Sequence, residues 1–455
     1  MIRRSVRLLA CSPFLVAAAA CGSSSSGPET APPAPTAAPT EMPGPAAPAT
    51  PPPPAAPTVD NGAPSTTYPA PHPPLPQLVN QAGGKVLVTP KVYLVVYPGY
   101  EHTAAVQSFV QALAATPSTY WSDTTKEYGV GALEYTGTKE LTGETAPASI
   151  VDKDVETFIA GKLAAGEFGT PDPSTVYAIF YPQTTTITSS TGGIGGGTSC
   201  SSFGGYHSDT AVKVGDTTSN YAFAVLPTCP TFGDLSGIDA LTGAASHELV
   251  EAVTDPFPST QNGQESAYSS VDLDHFIWVI AGGTESGDLC VPETNAFVKL
   301  PELGYTVQRT WSNAAAKLSH DPCVPAAKEA YFQSAPVLNE SVTVTLPASF
   351  GGSNVPTKGV TIPIGKSKTI EVDLFSDAAT SGPWTVSAVD ALAALGAGST
   401  LGFKWDRTSG VNGEKLHLTI TVTGASTFVP GAHPFSITST LGGIKQSWPA
   451  LVVDE

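Results

Sequence analysis

The sequence predicts an α/β domain over residues 84–326, in which helices lie against a mixed or parallel sheet, followed by a C-terminal antiparallel β-sandwich of immunoglobulin-like type over residues 331–455. Three observations support this prediction. Continuous apolar runs alternate with helical patterns in the middle of the chain, apolar and polar residues alternate in the tail, and the proline excess is confined to one region. Residues 28–76 contain 19 of the 43 prolines, so the remainder has a globular composition.

The α/β prediction rests on three apolar runs and the segments between them. Residues 91–97, 175–181 and 221–226 are almost continuously apolar, as expected for strands that are covered on both faces. Apolar residues at helical spacing predict helices over 102–115 and 149–165, the second ending at a glycine. Alternation of strands and helices indicates an α/β arrangement.

The tail has a different pattern. Five stretches alternate apolar and polar residues and are separated by turn residues: 341–346, 368–374, 384–389, 415–422 and 434–440. This alternation favours antiparallel strands with one buried face. The tail contains no cluster of catalytic residue types, so we expect a supporting or binding module.

The N-terminus has the pattern of an export signal. A basic start is followed by the apolar stretch 8–20, which is too short to span a bilayer. Ala18-Ala19-Ala20-Cys21 resembles a bacterial lipobox without its usual leucine, so residues 1–21 are predicted to be a lipoprotein-type signal with Cys21 lipidated. The chain would then contact the membrane surface through its lipid. The alternative is ordinary secretion after cleavage near Ala20.

Residues 22–83 are rich in proline and alanine and contain few bulky apolar residues, which predicts a disordered linker. The chain beyond residue 80 contains 18 basic and 36 acidic residues and carries the whole formal charge of −18. A surface this acidic repels the phosphate backbones of nucleic acids, so the charge argues against nucleic-acid binding.

Four cysteines follow the signal, and their even number in an exported chain predicts two disulfides. They are Cys200, Cys229, Cys290 and Cys323. Three pairings are possible, and Cys200–Cys229 with Cys290–Cys323 is favoured because it closes the shorter loops. A four-cysteine metal site is the competing interpretation, but it lacks any Cys-x-x-Cys spacing.

A helix predicted over residues 236–254 carries the most informative motif, His247-Glu248-Leu249-Val250-Glu251. His247 and Glu251 stand one turn apart away from the apolar stripe and can converge on a divalent cation, while Glu248 can act as a base. His-Glu-x-x-His metallopeptidases, the zincins, use two histidine ligands and a glutamate base, so this helix is zincin-like. Zinc is the expected metal, although a second carboxylate admits others. The alternative is a solvated helix face.

Several motifs resemble the plant phosphate-induced, EXORDIUM-like extracellular proteins and their bacterial relatives over about residues 88–325. They are residues 247–256, Glu285-x-x-Asp288-Leu289-Cys290, Cys200 with 204–207, and Tyr120-Trp121 with 128–130. The resemblance implies an exported, disulfide-bonded α/β domain with a zincin-like helix, but it implies no defined reaction, because that family is known for growth signalling.

Similarity to zincins implies that His247 and Glu251 are ligands and that Glu248 is the base. The third ligand has no zincin counterpart in position, so Glu285 is the first candidate and Asp288 the second, because both lie in the shared segment. His207 is a further candidate, to line the cleft or to donate to an oxyanion. Asp272, Asp274 and His275 are expected to be structural or solvated.

The expected function is that of a metal-dependent hydrolase, most plausibly a peptidase, acting on a protein, a peptide or a cell-surface polymer. A non-enzymatic surface protein that keeps the same fold for binding is the alternative. A serine hydrolase is a third possibility, since Gly197-Thr198-Ser199-Cys200-Ser201 superficially resembles a subtilase motif, but the partner residues of such an enzyme are not recognisable.

Overall fold

The computed structural model describes residues 60–115, 119–189, 197–346, 352–394, 396, 398–426 and 429–454. The predicted signal, Cys21 and residues 22–59 of the predicted linker lie outside the described residues. Within the described residues no helix is both long enough and apolar enough to cross a membrane.

From Leu78 to Pro227 the elements are, in chain order, β1 (Leu78–Val79), β2 (Lys91–Val96), α1 (Thr103–Ala114), α2 (Thr119–Thr125), β3 (Glu134–Glu140), β4 (Ser149–Val151), α3 (Asp152–Ala164), β5 (Thr175–Tyr181), β6 (Thr186–Ser189), β7 (Gly197–Thr198), β8 (Tyr206–Val214) and β9 (Thr217–Pro227). From Thr231 to Val324 they are β10 (Thr231–Phe232), β11 (Leu235–Ser236), α4 (Gly237–Thr254), β12 (Ser270–Val271), α5 (Ile277–Ile280), β13 (Phe297–Leu300), β14 (Tyr305–Gln308), β15 (Thr310–Trp311), α6 (Asn313–Lys317) and β16 (Cys323–Val324). The tail contains β17 (Phe332–Pro336), β18 (Glu340–Thr345), β19 (Asn354–Thr361), β20 (Ser367–Ser376), β21 (Trp384–Asp390), α7 (Ala391–Ala394), β22 (Leu401–Trp405), β23 (Ser409–Gly410), β24 (Lys415–Val422), β25 (Ala432–Leu441) and β26 (Ile444–Val453).

A five-stranded sheet of order β3-β2-β5-β9-β8 supports the region that contains the predicted motif. Its first four strands are parallel, and β8 pairs with β9 in the antiparallel sense. Every residue of the central strand β5 is buried. Strand β8 therefore forms one edge of this sheet, with His207 opposite Ala224 of β9.

Helix α4 packs its apolar residues into the same core as this sheet. Leu241, Ala245 and Leu249 recur every four residues, so they lie on one face, and that face contacts a cluster that includes Phe180 of β5. The helix ends at Thr254, just before Asp255-Pro256, because a proline disfavours the helical conformation of the residue that precedes it. His247 and Glu251 lie one turn apart away from this face, as the sequence predicts, and Glu248 is offset from them toward it.

The tail forms two sheets. One has the order β17-β20-β24-β22 and is antiparallel throughout, and the other has the order β18-β19-β26-β25-β21-β23. Alternate residues of β24, from Leu416 to Val422, are buried, as expected for a strand with one face toward a core. In the second sheet β19 and β26 are parallel, which departs from the predicted antiparallel arrangement.

The predicted fold class, an α/β domain with a helix against a mixed or parallel sheet followed by an antiparallel β-sandwich, is wrong. Strands make up 39% of the described residues and helices 20%, so this part of the chain is β-rich. The described residues form eight sheets, of which four have two strands and one has three. The prediction counted the continuous apolar runs and missed short, partly exposed strands such as β3 and β13, which show no clear alternation.

Residues 60–83, which the sequence assigns to the linker, pack onto the rest of the chain. Strand β1 pairs with β12, Leu75 and Leu78 are buried, and the Asn412 side chain accepts a hydrogen bond from the backbone N–H of Ala70. The described residues from Asn61 onward belong to one compact unit. The packed structure therefore includes part of the proline-rich segment, because its sparse apolar residues find partners far along the chain.

Both favoured disulfides are confirmed. Cys200 is bonded to Cys229 and Cys290 to Cys323, and they close loops with sequence separations of 29 and 33 residues. The second disulfide joins the segment that follows Asp288 to β16, which fixes that segment beside α4. Two such bonds are compatible with an extracellular protein.

Candidate metal centre

Six side chains from three parts of the chain meet beside α4, and we call them the His/Glu cluster. Helix α4 supplies three of them, the edge strand β8 one, and the segment 284–288 two: His207, His247, Glu248, Glu251, Glu285 and Asp288. Their side-chain exposures range from 2% to 16%. His247 and Asp288 are the most exposed, so the cluster approaches solvent on their side.

Glu251 is the centre of the cluster. Its Oε1 accepts hydrogen bonds from the backbone N–H groups of Gly287 and Asp288, at 2.9 and 3.1 Å. Its Oε2 faces Nε2 of His247 at 2.9 Å. One carboxylate oxygen is thus fixed by the backbone, while the other remains directed at the imidazoles.

Gln308 orients His247. The amide Nε2 of Gln308 donates to the carbonyl of Gly287 at 2.6 Å, so its Oε1 is directed at Nδ1 of His247, 2.8 Å away. Nδ1 must therefore carry a proton and donate it, and the neutral imidazole offers its Nε2 lone pair to the cluster. The sequence did not point to Gln308, because a single glutamine at the end of a short strand gives no recognisable signal.

The segment 284–288 lies very close to α4. The Thr284 hydroxyl donates to Oδ2 of Asp288 at 2.9 Å, which leaves Oδ1 3.8 Å from Nε2 of His247. A Cβ atom at Gly287 would lie 2.5 Å from Nδ1 of His247 and 2.8 Å from Oε1 of Glu251. Only glycine permits this approach, so Gly287 is a requirement of the site.

His207 reaches the cluster from the opposite side. Its Nδ1 lies 3.5 Å from Oε2 of Glu248 and 3.9 Å from Oε2 of Glu251. Its Nε2 faces Oε1 of Glu285 at 3.6 Å. Among the described residues, neither Nε2 of His207 nor Oε2 of Glu285 has a hydrogen-bond partner, although both atoms are buried. A Cβ atom at Gly205, just before β8, would lie 2.8 Å from Cγ of Glu248, so a larger residue there would displace the Glu248 side chain.

The cluster is strongly coupled electrostatically. Burial lowers the pKa of the two imidazoles, but the carboxylates around them outweigh burial and hold the pKa values of His207 and His247 well above the usual value. Burial raises the pKa of Glu251, yet the His247 imidazole reverses this and brings it to about 2. Burial, reinforced by Glu251, raises the pKa of Asp288 to about 7 and that of Glu285 well above its usual range. The buried carboxylates therefore require positive charge, as protons or as a bound cation.

Two groups of donors can hold a metal ion. His247, Glu251 and Asp288 place one donor atom each within 4.8 Å of one another, and so do His207, Glu248 and Glu251. Donors around a four-coordinate ion with bonds of about 2.0–2.2 Å lie roughly 3.4 Å apart. The separations of 2.9 Å and 3.8 Å in the first group fit this spacing.

Of the two candidates for the third ligand, the structure brings Asp288 into the group with His247 and Glu251. Glu285, the first choice from the sequence, belongs to neither group and lies behind His207. The reason is the turn after Gly282-Gly283, which places residues 285 and 288 on different sides of the cluster. Neither spacing nor composition distinguishes these two acids.

Other candidate residues lie apart from the cluster. Asp272 accepts a hydrogen bond from the backbone of Gln77 at 2.8 Å and contacts Nδ1 of His275 at 2.7 Å, so both act in local packing. The Ser199 hydroxyl accepts a hydrogen bond from the backbone of Ile187. A cleft of about 620 Å³ lies beside Tyr97, Tyr100 and Glu144 and contains no residue of the cluster.

No protein-family model matches the chain, and no curated protein sequence matches it. Among solved structures, domains 4 and 5 of the S-layer protein SbsC share 14% identity over 29% of this chain and 79% of that chain, with a TM-score of 0.15. The titin M3 domain shares 15% identity over 21% of this chain and 85% of that one, also with a TM-score of 0.15. At these scores the likeness supports no conclusion about fold or function.

Proposed function

We propose that the chain is an exported hydrolase that depends on a divalent cation, with a peptide bond as the bond most suited to its chemistry. The observation that carries the proposal is the convergence of His247, Glu251 and Asp288, with Oε1 of Glu248 3.9 Å from Nε2 of His247. Catalytic metal sites have three protein donors and an open position, whereas structural sites are closed by a fourth protein donor. Three donors with a carboxylate beside them therefore match a catalytic site.

The residues present suit a divalent cation. One imidazole nitrogen and two carboxylate oxygens are ligands that zinc accepts, and the Nε2 of His247 is directed by Gln308. A cation bound there would polarise a carbonyl and lower the pKa of water. Zinc is the best match to the imidazole, and manganese is the alternative that the two carboxylates admit.

Glu248 and His207 have the positions of the remaining catalytic groups. Glu248 directs Oε1 toward the side of His247 and is buried, so its carboxylate can accept a proton from an attacking water. His207 lies 3.5 Å from the other Glu248 oxygen, where a protonated imidazole can donate to a developing oxyanion. Glu248 packs closely against Gly205, and His207 lies in the edge strand β8.

The test compares Glu248→Gln, Glu251→Gln and the exposed control Glu302→Gln. With a mixed library of quenched fluorescent peptides and added Zn²⁺, Glu248→Gln should lower hydrolysis by roughly 10²–10⁴-fold while the cation stays bound. Glu251→Gln should lose both binding and hydrolysis, and Glu302→Gln should match the wild type. Undiminished hydrolysis by Glu248→Gln would remove it as the base, and wild-type protein that binds no divalent cation would refute the proposal.

The second candidate is a non-enzymatic surface protein in which the cation is structural. The burial of Glu248, Glu251 and Glu285 favours it, and so does the resemblance to EXORDIUM-like proteins. In that case the wild type would bind the cation and gain about 2.7 kcal/mol of stability at a hundredfold excess over the dissociation constant, without hydrolysing the library. Thermal unfolding with and without chelator, measured beside the hydrolysis assay, separates the two functions.

We further propose that Cys21 carries a lipid and that the proline-rich stretch after it separates the folded part from the membrane. The motif at residues 18–21 supports this. Cys21→Ser should move the protein from the membrane fraction to the soluble exported fraction. If the wild type is already soluble and begins near residue 21, ordinary secretion is the correct interpretation.

A further inference from the structure

The two donor groups of the His/Glu cluster share Glu251, and their two histidines face different oxygens of Glu248. His247 faces Oε1 of Glu248, whereas His207 faces Oε2. The group His247, Glu251 and Asp288 is the one assigned to the cation of the proposed function. The group His207, Glu248 and Glu251 is a second set of three donors, of which only Glu251 also belongs to the first group.

Glu251 can serve both groups through one atom. Its Oε1 is occupied by two backbone N–H groups, while its Oε2 lies 2.9 Å from Nε2 of His247 and 3.9 Å from Nδ1 of His207. A carboxylate oxygen has two lone pairs, so Oε2 can face a cation on each side. Paired cations in hydrolases lie about 3.5–4 Å apart, which suits a single bridging oxygen.

When the four carboxylates are ionised and both imidazoles are neutral, the cluster carries more negative charge than one divalent cation balances. Four carboxylates meet here, three of them buried and Asp288 half-buried, and among the described residues their ion pairs are with the two histidines alone. One divalent cation balances two of these carboxylates. A second would balance the remaining pair, and buried charge without a partner is costly.

We propose that His207, Glu248 and Glu251 bind a second divalent cation, and that this cation inhibits the hydrolase. Binding of this cation to Oε2 of Glu248 lowers the proton affinity of that carboxylate, so Glu248 can no longer act as the base. The cation also coordinates the Nδ1 lone pair of His207. Glu285 lies on the far side of the imidazole, with its Oε1 3.6 Å from Nε2 of His207. The inhibition rests on the proposed function, whereas the second binding site does not.

The experiment titrates Zn²⁺ into metal-free full-length protein by calorimetry and measures hydrolysis at each metal ratio. The wild type should bind two equivalents, and hydrolysis should rise with the first and fall with the second. His207→Ala and Glu248→Gln should each bind one equivalent, with the second weakened at least about tenfold. The exposed His320→Ala is the matched control and should bind two. Circular dichroism checks that each variant is folded.

The outcomes separate the two proposals. A single equivalent in the wild type, or two equivalents in both His207→Ala and Glu248→Gln, overturns the second site and leaves the proposed function standing. Two equivalents in the wild type and one in each of these variants support the second site, even if no hydrolysis is found. If no hydrolysis is found, the inhibition and the hydrolase proposal fail together. Binding of both equivalents without loss of activity overturns the inhibitory role alone.

Discussion

Two buried polar groups lie close together in this protein, and they differ in whether they are complete. Arg309 is paired with Asp321, and every nitrogen of its guanidinium has an acceptor: Nε donates to the carbonyl of Pro325, Nη1 to that of Asn295, and Nη2 to Asp321 and the carbonyl of Cys323. Both oxygens of Asp321 also accept backbone N–H groups. The positive charge of Arg309 therefore balances the negative charge of Asp321.

The His/Glu cluster is the opposite case. Its four carboxylates face two imidazoles, and the described residues leave Nε2 of His207 and Oε2 of Glu285 without hydrogen bonds. A group that serves stability alone is expected to satisfy its polar atoms, as the Arg309 pair does. The incomplete cluster is therefore the one to which the proposed function assigns a cation.

The two groups are joined through the backbone. Gln308 and Arg309 are adjacent, and the first orients His247 while the second holds Asp321. The disulfide Cys290–Cys323 also joins the two groups. Cys290 lies two residues after Asp288 of the His/Glu cluster, and Cys323 lies two residues after Asp321. The complete ion pair thus supports the geometry of the incomplete cluster.

The largest effect is expected from breaking the complete pair. Asp321→Ala leaves the buried Arg309 charge without its partner and should lower the free energy of unfolding by about 3–5 kcal/mol. Chemical denaturation with chelator present measures this change without a contribution from bound cations. A loss below about 1 kcal/mol would show that the pair is not a structural support.

The sequence predicted the half of the site that lies on one helix. His247 and Glu251 are four residues apart, so helical geometry places them together without any tertiary information. His207 was a candidate only from a separate motif, and Gln308 was not predicted, because strand pairing and the packing of β14 against α4 bring these two residues to the helix. The choice of Asp288 over Glu285 depends on a turn whose shape is set by the close approach of Gly287.

The fold was predicted only where the pattern was strong. The strands β2, β5 and β9 and the helices α1, α3 and α4 lie close to the predicted ranges, because continuous or periodic apolar residues mark them. The predicted fold class was wrong because strands such as β3 were missed. Strand β3 has the sequence Glu-Tyr-Thr-Gly-Thr-Lys-Glu and is held by hydrogen bonds to β2 rather than by a buried face. Such strands leave little trace in hydrophobic periodicity.

An intermediate effect is expected from loosening the link between the two groups. Gln308→Ala removes the acceptor of the His247 Nδ1–H bond, so the imidazole loses its fixed orientation and the affinity of the first cation should fall about 10–100-fold. Calorimetric titration measures this, with the exposed Gln183→Ala as a control that should bind like the wild type. Unchanged affinity in Gln308→Ala would mean that packing alone orients His247.

The smallest effect is expected at Asp272, which anchors residues 60–83 and touches neither group. Burial alone raises the pKa of this carboxyl, but hydrogen bonds from His275 and the Gln77 backbone outweigh burial and hold its pKa below the usual value. Because the folded-state pKa is depressed, the stabilisation is present above the usual carboxyl pKa and is lost as the pH falls through the folded value. Asp272→Asn should therefore cost about 1 kcal/mol at pH 7 and less as the pH falls through that range, measured by denaturation at several pH values. A difference that does not shrink in acid would assign the effect to packing rather than to the charge of Asp272.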